Sequence, residues 1–166
     1  MQGLAALREA QGHALACDYD NCQRALDRAA ALLDKHDTAS GMTIGSASVS
    51  GADLNSLVAA WCMHDLGRSR EAADVFDRQL SLVPGNAHRT HARFGARRAL
   101  AYAAAGDIDH ASALATKVLD AAELVDSATV RQDLKRLARL LGREREHPAV
   151  RDVYPRLNAA LRGPIH

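Results

Sequence analysis

Three cysteines and a few histidines are the side chains here that could ligate a metal or act as nucleophiles. Cys17 and Cys22 form C-x4-C, and Cys62 with His64 forms C-x-H; His13 lies nearby in sequence. Neither spacing is that of a zinc finger, ribbon or knuckle. Cys22 falls at a position where a small apolar residue packs, and a thiol behaves there as a small hydrophobe. Packing is therefore the reading for these cysteines, with no metal and no cofactor expected. No Cys/His/Asn order is legible for a thiol nucleophile either. Asp18-x-Asp20-Asn21 has the opening of a calcium loop but lacks its glycine and its closing glutamate. Capping of a helix N-terminus accounts for those acids. Gly41-x3-Gly45-x5-Gly51 has no following Lys-Ser/Thr and no preceding strand, so it reads as a linker and not as a phosphate loop.

Arg131, Lys135 and Arg139 recur every four residues, one helical face, with Arg136 and Arg143 beside them. Such a basic face could meet an acidic partner or phosphates. No aromatic residues interleave it, which leaves a solvated outer face as the plainer reading. Net charge is +1, so no global field gathers nucleic acid or acidic lipid, and direct nucleic-acid binding is not expected. No apolar run approaches the roughly 20 residues of a membrane span. The N-terminal MQGLAALREA carries a glutamate and no long apolar centre, unlike a secretory signal. An odd number of cysteines without framework spacing suits a reducing cytoplasm.

The elements that must position these residues are helices. The composition is rich in Ala, Leu and Arg and has only 4% aromatics. Leu54, Leu57, Val58 and Trp61 follow i, i+3, i+4, i+7, and Ala72, Phe76 and Leu80 follow every fourth residue after Gly67. Gly67 stops the first helix, and Pro84 closes the second. Ala60 and Ala72 flank the turn, where two antiparallel helices approach too closely for large side chains. The spacing repeats. Gly106 has Ala99 and Tyr102 before it, and Ala111, Ala115 and Val118 after it. Cys17, taken as a turn residue, has Ala10 before it and Cys22, Leu26 and Ala29 after it. Asp53, and Asp107 or Asp109, are candidate caps. A last pair has Val130, Leu134, Leu137 and Leu141 inward, ends at Gly142, and resumes at Pro148 with Val150, Val153, Leu157 and Leu161. It lacks the small residues and reads as a cap on the stack; Pro155 lies inside its final helix. The hairpins span about 4–35, 52–84, 91–123 and 127–161, with a flexible loop at about 36–51.

The central hairpin resembles a tetratricopeptide repeat, a helical hairpin of about 34 residues. The likeness rests on Gly67, with Ala72 five, Phe76 nine and Pro84 seventeen residues later. Met63 stands where that family often has an aromatic, and Gln79 where it usually has alanine. The resemblance implies an all-α domain over residues 1–166, about eight helices in antiparallel hairpins stacked as a short α-solenoid. Residues 52–161 also resemble the C-terminal repeat region of actinobacterial helix-turn-helix transcriptional regulators. That likeness is carried by AAWCMHDLGRSREAADVF, by HRTHARFGARRALAYAAAGDIDHASALATKVLDAA, and by the closing Pro148-Ala149-Val150-Arg151 with Leu157. It extends to no DNA-binding domain in this sequence.

In tetratricopeptide arrays the inner helices line a concave groove that binds peptides. By that resemblance His64, Trp61, Ala103 and Leu100 face the groove, with Asp65, Arg93 and Ala96 as neighbours. Trp61, His64, Asp65, Arg93 and Leu100 are then the candidate site; packing of Trp61 against the preceding hairpin or the long loop is the alternative. The expected function is a non-enzymatic binding module for a peptide, protein or small effector, and by the second resemblance the sensor part of a transcriptional regulator. A small-molecule-binding or catalytic helical protein of a biosynthetic pathway, and a self-associating module that forms a homodimer, are the alternatives.

Overall fold

The computed structural model describes residues 2–37 and 53–162, and the stretch expected as a linker falls mostly outside them. Among the described residues the regular structure is helical, in eight α-helices. These are α1 (Gln2–Leu15), α2 (Tyr19–Asp37), α3 (Leu54–Asp65), α4 (Ser69–Leu80), α5 (His88–Ala104), α6 (Ile108–Glu123), α7 (Ala128–Leu141) and α8 (Pro148–Arg162). A single 3-10 turn, Gly142–Glu144, follows α7. None of these helices is long and apolar enough to cross a membrane.

The chain divides into two compact units, Met1–Leu82 and Val83–His166. Each holds two antiparallel hairpins. In the first unit α1 packs on α2 and α3 on α4, and α3 also packs against both α1 and α2. In the second, α5 packs on α6 and α7 on α8, while α5 meets α7 and α6 meets α8.

Three of the four hairpins turn in the same way. Cys17, Gly67 and Gly106 have φ of 57°, 83° and 86°, the left-handed region. At each turn the amide of the next residue donates five residues back: Asp18 to His13, Arg68 to Met63 and Asp107 to Tyr102. The turn residue itself donates three back, to Ala14, His64 and Ala103. This is the Schellman closure, which satisfies carbonyls that a helix end leaves open. Cys17 adopts it despite having a Cβ, so the unusual turn residue read from the spacing does the job of glycine.

Small side chains occupy the closest approaches. Ala10, Ala60, Ala72, Ala99 and Ala111 are fully buried, as are Phe76 and Ala115 farther from the turns. The core between α1, α2 and α3 gathers Ala6, Leu7, Ala10, Ala14, Cys22, Ala25, Leu26, Ala29, Val58 and Cys62.

Helix starts follow the expected caps. Asp53 accepts from the amides of Asn55 and Ser56 at 2.9 and 3.0 Å. Asp18 accepts from Asn21 and Asp107 from His110, and Ser127, which the sequence reading did not single out, accepts from Val130. Two helix ends add detail to the sequence reading. Helix α4 ends at Leu80, before Pro84, and the Pro84 carbonyl instead accepts the Ala87 amide and a ring nitrogen of His91. Gly142 ends α7 as read, but it does so right-handed at φ −63° as the first residue of the 3-10 turn, so the fourth hairpin has no left-handed closure. Pro155 sits within α8, which runs on to Arg162.

Candidate functional site

In the first unit the end of α3 carries Trp61, His64 and Asp65. Trp61 is 5% exposed, and its indole stacks on the His64 ring with centroids 4.9 Å apart. His64 Nδ1 lies 3.1 Å from Ser69 Oγ at the start of α4. His64 is thus fixed from two sides, by a ring face and by a hydroxyl across the turn, and keeps part of its surface open, as does Asp65.

The same unit contains an open cleft beside α2 and α3. Its lining includes Tyr19, Cys22, Asn55, Cys62, Met63 and Arg68. At its edge the Arg68 guanidinium lies 5.9 Å from the Tyr19 ring centroid and pairs with Glu71 through two hydrogen bonds. That pairing raises the Arg68 pKa and holds the Glu71 carboxyl below its ordinary range. Sequence reasoning placed Cys22 as a packing residue, and the structure buries it as such. It did not bring Cys22 and Cys62 together. The Cys62 side chain hydrogen-bonds Cys22, while burial pushes the Cys22 thiol up from its usual value. Among the described residues no three His, Cys, Asp or Glu side chains are grouped to hold a metal.

In the second unit the charged groups converge on α5 and α7. Arg97 Nε donates to Asp133 Oδ2 at 3.2 Å, with both side chains buried. Arg136 Nη1 reaches the other Asp133 oxygen at 3.9 Å. One turn before Arg97, Arg93 lies on the same helix. The guanidinium carbons of Arg93 and Arg97 sit 5.3 and 5.8 Å from the centroid of the Phe94 ring. Arg93 is partly exposed, and the Arg136 side chain is 45% exposed. Leu100, one of the expected groove residues, is buried.

Arg97 and Asp133 escaped the sequence reading. A signal was present: Asp133 lies three residues after Val130 and four before Leu137, a charge on an apolar stripe. Arg97 likewise lies three after Phe94 and three before Leu100. A charge at such a position calls for a partner, but the sequence does not say which one.

The basic face of α7 is on the surface. Lys135 and Arg139 are exposed, and Arg131 lies 3.7 Å from an Asp126 oxygen. Comparison of the chain with protein-family models, with curated proteins and with solved structures gives no match.

Proposed function

We propose that the chain is a non-enzymatic binding module of the tetratricopeptide kind, and that α5 and α7 present the face its partner meets. The fold reading is supported by three hairpins with one closure geometry, by buried alanines at the close approaches, and by the packing of α5 on α7 and α1 on α3, first helix to first helix. The partner reading is carried by one observation: Arg93 and Arg136 are partly exposed on the two helices that the buried Arg97–Asp133 pair joins. A guanidinium held in place forms directed, paired hydrogen bonds to a carboxylate. The partner is accordingly an acidic peptide segment or a protein bearing one. The resemblance to the repeat region of transcriptional regulators supports a sensing or docking role within such a system. A reducing cytoplasm suits three cysteines kept as thiols.

The cleft beside α2 and α3 favours a second reading, in which a small effector binds the first unit. Its lining mixes aliphatic side chains with Tyr19, Asn55 and Arg68, the blend of apolar walls and few polar groups that small ligands use.

Titration calorimetry of the full chain against acidic and charge-neutral peptides of equal length tests the first reading. Saturable binding of the acidic peptides, weakened about tenfold or more by Arg93→Ala (about 1.4 kcal/mol), supports it. Equal binding of both peptide sets, or no effect of Arg93→Ala and Arg136→Ala, overturns it.

A further inference from the structure

Two of the three cysteines meet where no local pattern in the sequence would put them. Cys22 belongs to α2, in the first hairpin, and Cys62 to α3, in the second. Their side chains are 2% and 1% exposed, share one apolar core, and hydrogen-bond each other. Buried thiols of that kind are ordinarily inert. These two differ because both also line the open cleft that includes Tyr19, Asn55, Met63 and Arg68. The third cysteine, Cys17, lies at the exposed α1–α2 turn and outside the residues lining the cleft.

We propose that Cys22 and Cys62 are a reversible thiol–disulfide site, oxidised by small hydroperoxides that enter the cleft, and that the disulfide ties the first hairpin of this unit to the second. The side-chain hydrogen bond puts the two sulfurs in contact; Cys22 is assigned as the sulfur that takes the oxygen and Cys62 as the one that resolves it, and because burial holds the Cys22 thiol above its usual value the thiolate is scarce and the oxidation slow. In the first step the Cys22 sulfur takes the terminal oxygen of the peroxide. The O–O bond breaks, a sulfenic acid forms, and the remaining oxygen leaves with the thiol's proton as water or an alcohol. In the second step the Cys62 sulfur attacks the Cys22 sulfur. The S–S bond forms, the S–O bond breaks, and the oxygen leaves as water with the Cys62 proton. Two thiols are oxidised by two electrons and one peroxide is reduced. A low-molecular-weight thiol reverses the change by exchange.

The disulfide would have a mechanical consequence. Helices α2 and α3 belong to successive hairpins, so a bond between them closes a loop of chain that includes residues 38–52. Cross-links of this kind stabilise mainly by restricting the unfolded chain. Oxidation is expected to raise the melting temperature of the first unit and leave the second unchanged.

The test uses the full chain carrying Cys17→Gly, which removes the exposed thiol and places glycine where φ is already positive. The protein is treated with hydrogen peroxide, alkylated, digested and mapped under non-reducing conditions. The expected result is loss of both remaining thiols, a mass lower by two hydrogen atoms, and one Cys22–Cys62 cross-linked peptide that dithiothreitol removes. Persistence of both thiols under peroxide overturns the proposal. So does oxidation to sulfinic or sulfonic acid without the cross-link, or a cross-link found only between chains. Cys62→Ala provides a second readout. Its Cys22 should accumulate as a dimedone-trapped sulfenic acid, and if Cys22 stays unlabelled, the assignment of Cys22 as the attacked sulfur fails.

Discussion

Arg97 on α5 and Asp133 on α7 form a buried ion pair at 3.2 Å across 36 residues of sequence. Desolvating two charges costs several kcal/mol, and their attraction returns that only when the partners stay together. Removing one partner leaves an uncompensated charge in the core. Asp133→Ala should therefore lower the stability of the second unit by about 3–5 kcal/mol, read from the urea midpoint of its transition. The double substitution Arg97→Met with Asp133→Leu should recover most of that loss, because it removes both charges and keeps the volume. If the double variant is as unstable as the single one, the pair is not acting through charge burial.

The left-handed turn at Cys17 offers a gain. A residue with a Cβ at φ 57° gives up roughly 1 kcal/mol relative to glycine. Cys17→Gly should raise stability by a few tenths to about 1 kcal/mol, whereas Gly67→Ala and Gly106→Ala should each lower it by about 1–2 kcal/mol. Thermal melts of the three variants check the sign. Open space surrounds the Cβ position at both glycines, so any loss there reports backbone strain alone.

A different glycine is limited by space. A Cβ built on Gly142 would lie 2.9 Å from the Tyr154 hydroxyl oxygen. Gly142→Ala should cost about 1–3 kcal/mol, and Tyr154→Phe in the same chain should return part of it. Tyr154→Phe alone should be nearly neutral, since its one hydrogen bond, from Arg145, is long at 3.5 Å.

Acid should loosen the α1–α2 hairpin. A hydrogen bond and ion pair from Arg28 hold the Glu9 carboxyl below its ordinary 4.5, and hydrogen bonds from Asn21 hold Asp18 below 3.8. Folded pKa values below the unfolded ones mean that the unfolded chain binds protons more readily. The stabilisation is then fully present above about pH 5 and is lost as pH falls through the folded values. Glu9→Gln with Asp18→Asn should flatten the dependence of melting temperature on pH between about 5 and 3, and change it little near neutrality.

Much of the fold was legible because turns and caps are local. Cys17, Gly67 and Gly106 were found by counting to small residues on either side, and Asp53, Asp18 and Asp107 by their place before an apolar stripe. What lay beyond reach was pairing over distance. Gln79 read only as a departure from alanine, yet its side-chain oxygen accepts the Asp53 amide at 2.8 Å. Arg97 and Asp133 were passed over because periodicity counts apolar residues and skips charges between them. The end of α4 at Leu80 was missed because proline marks where a helix must have stopped, and not where it does. The candidate site fared similarly. Trp61 and His64 were correctly set on one helix, but their stacking, and the Ser69 hydroxyl that holds the imidazole, depend on rotamers that no spacing encodes.

The contact between Gln79 and Asp53 bears on how this chain can be edited. The first residue before α3 is held by its own carboxylate on the Asn55 and Ser56 amides, and by a carboxamide from the far end of α4. Both anchors lie on the C-terminal side of the join. The phase of α3 is thus set independently of how many residues lead up to it, so lengthening or shortening 38–52 should leave Leu57, Val58 and Trp61 pointing where they do now. That join is accordingly the place to splice in a reporter or a second binding segment without re-registering the helix it precedes.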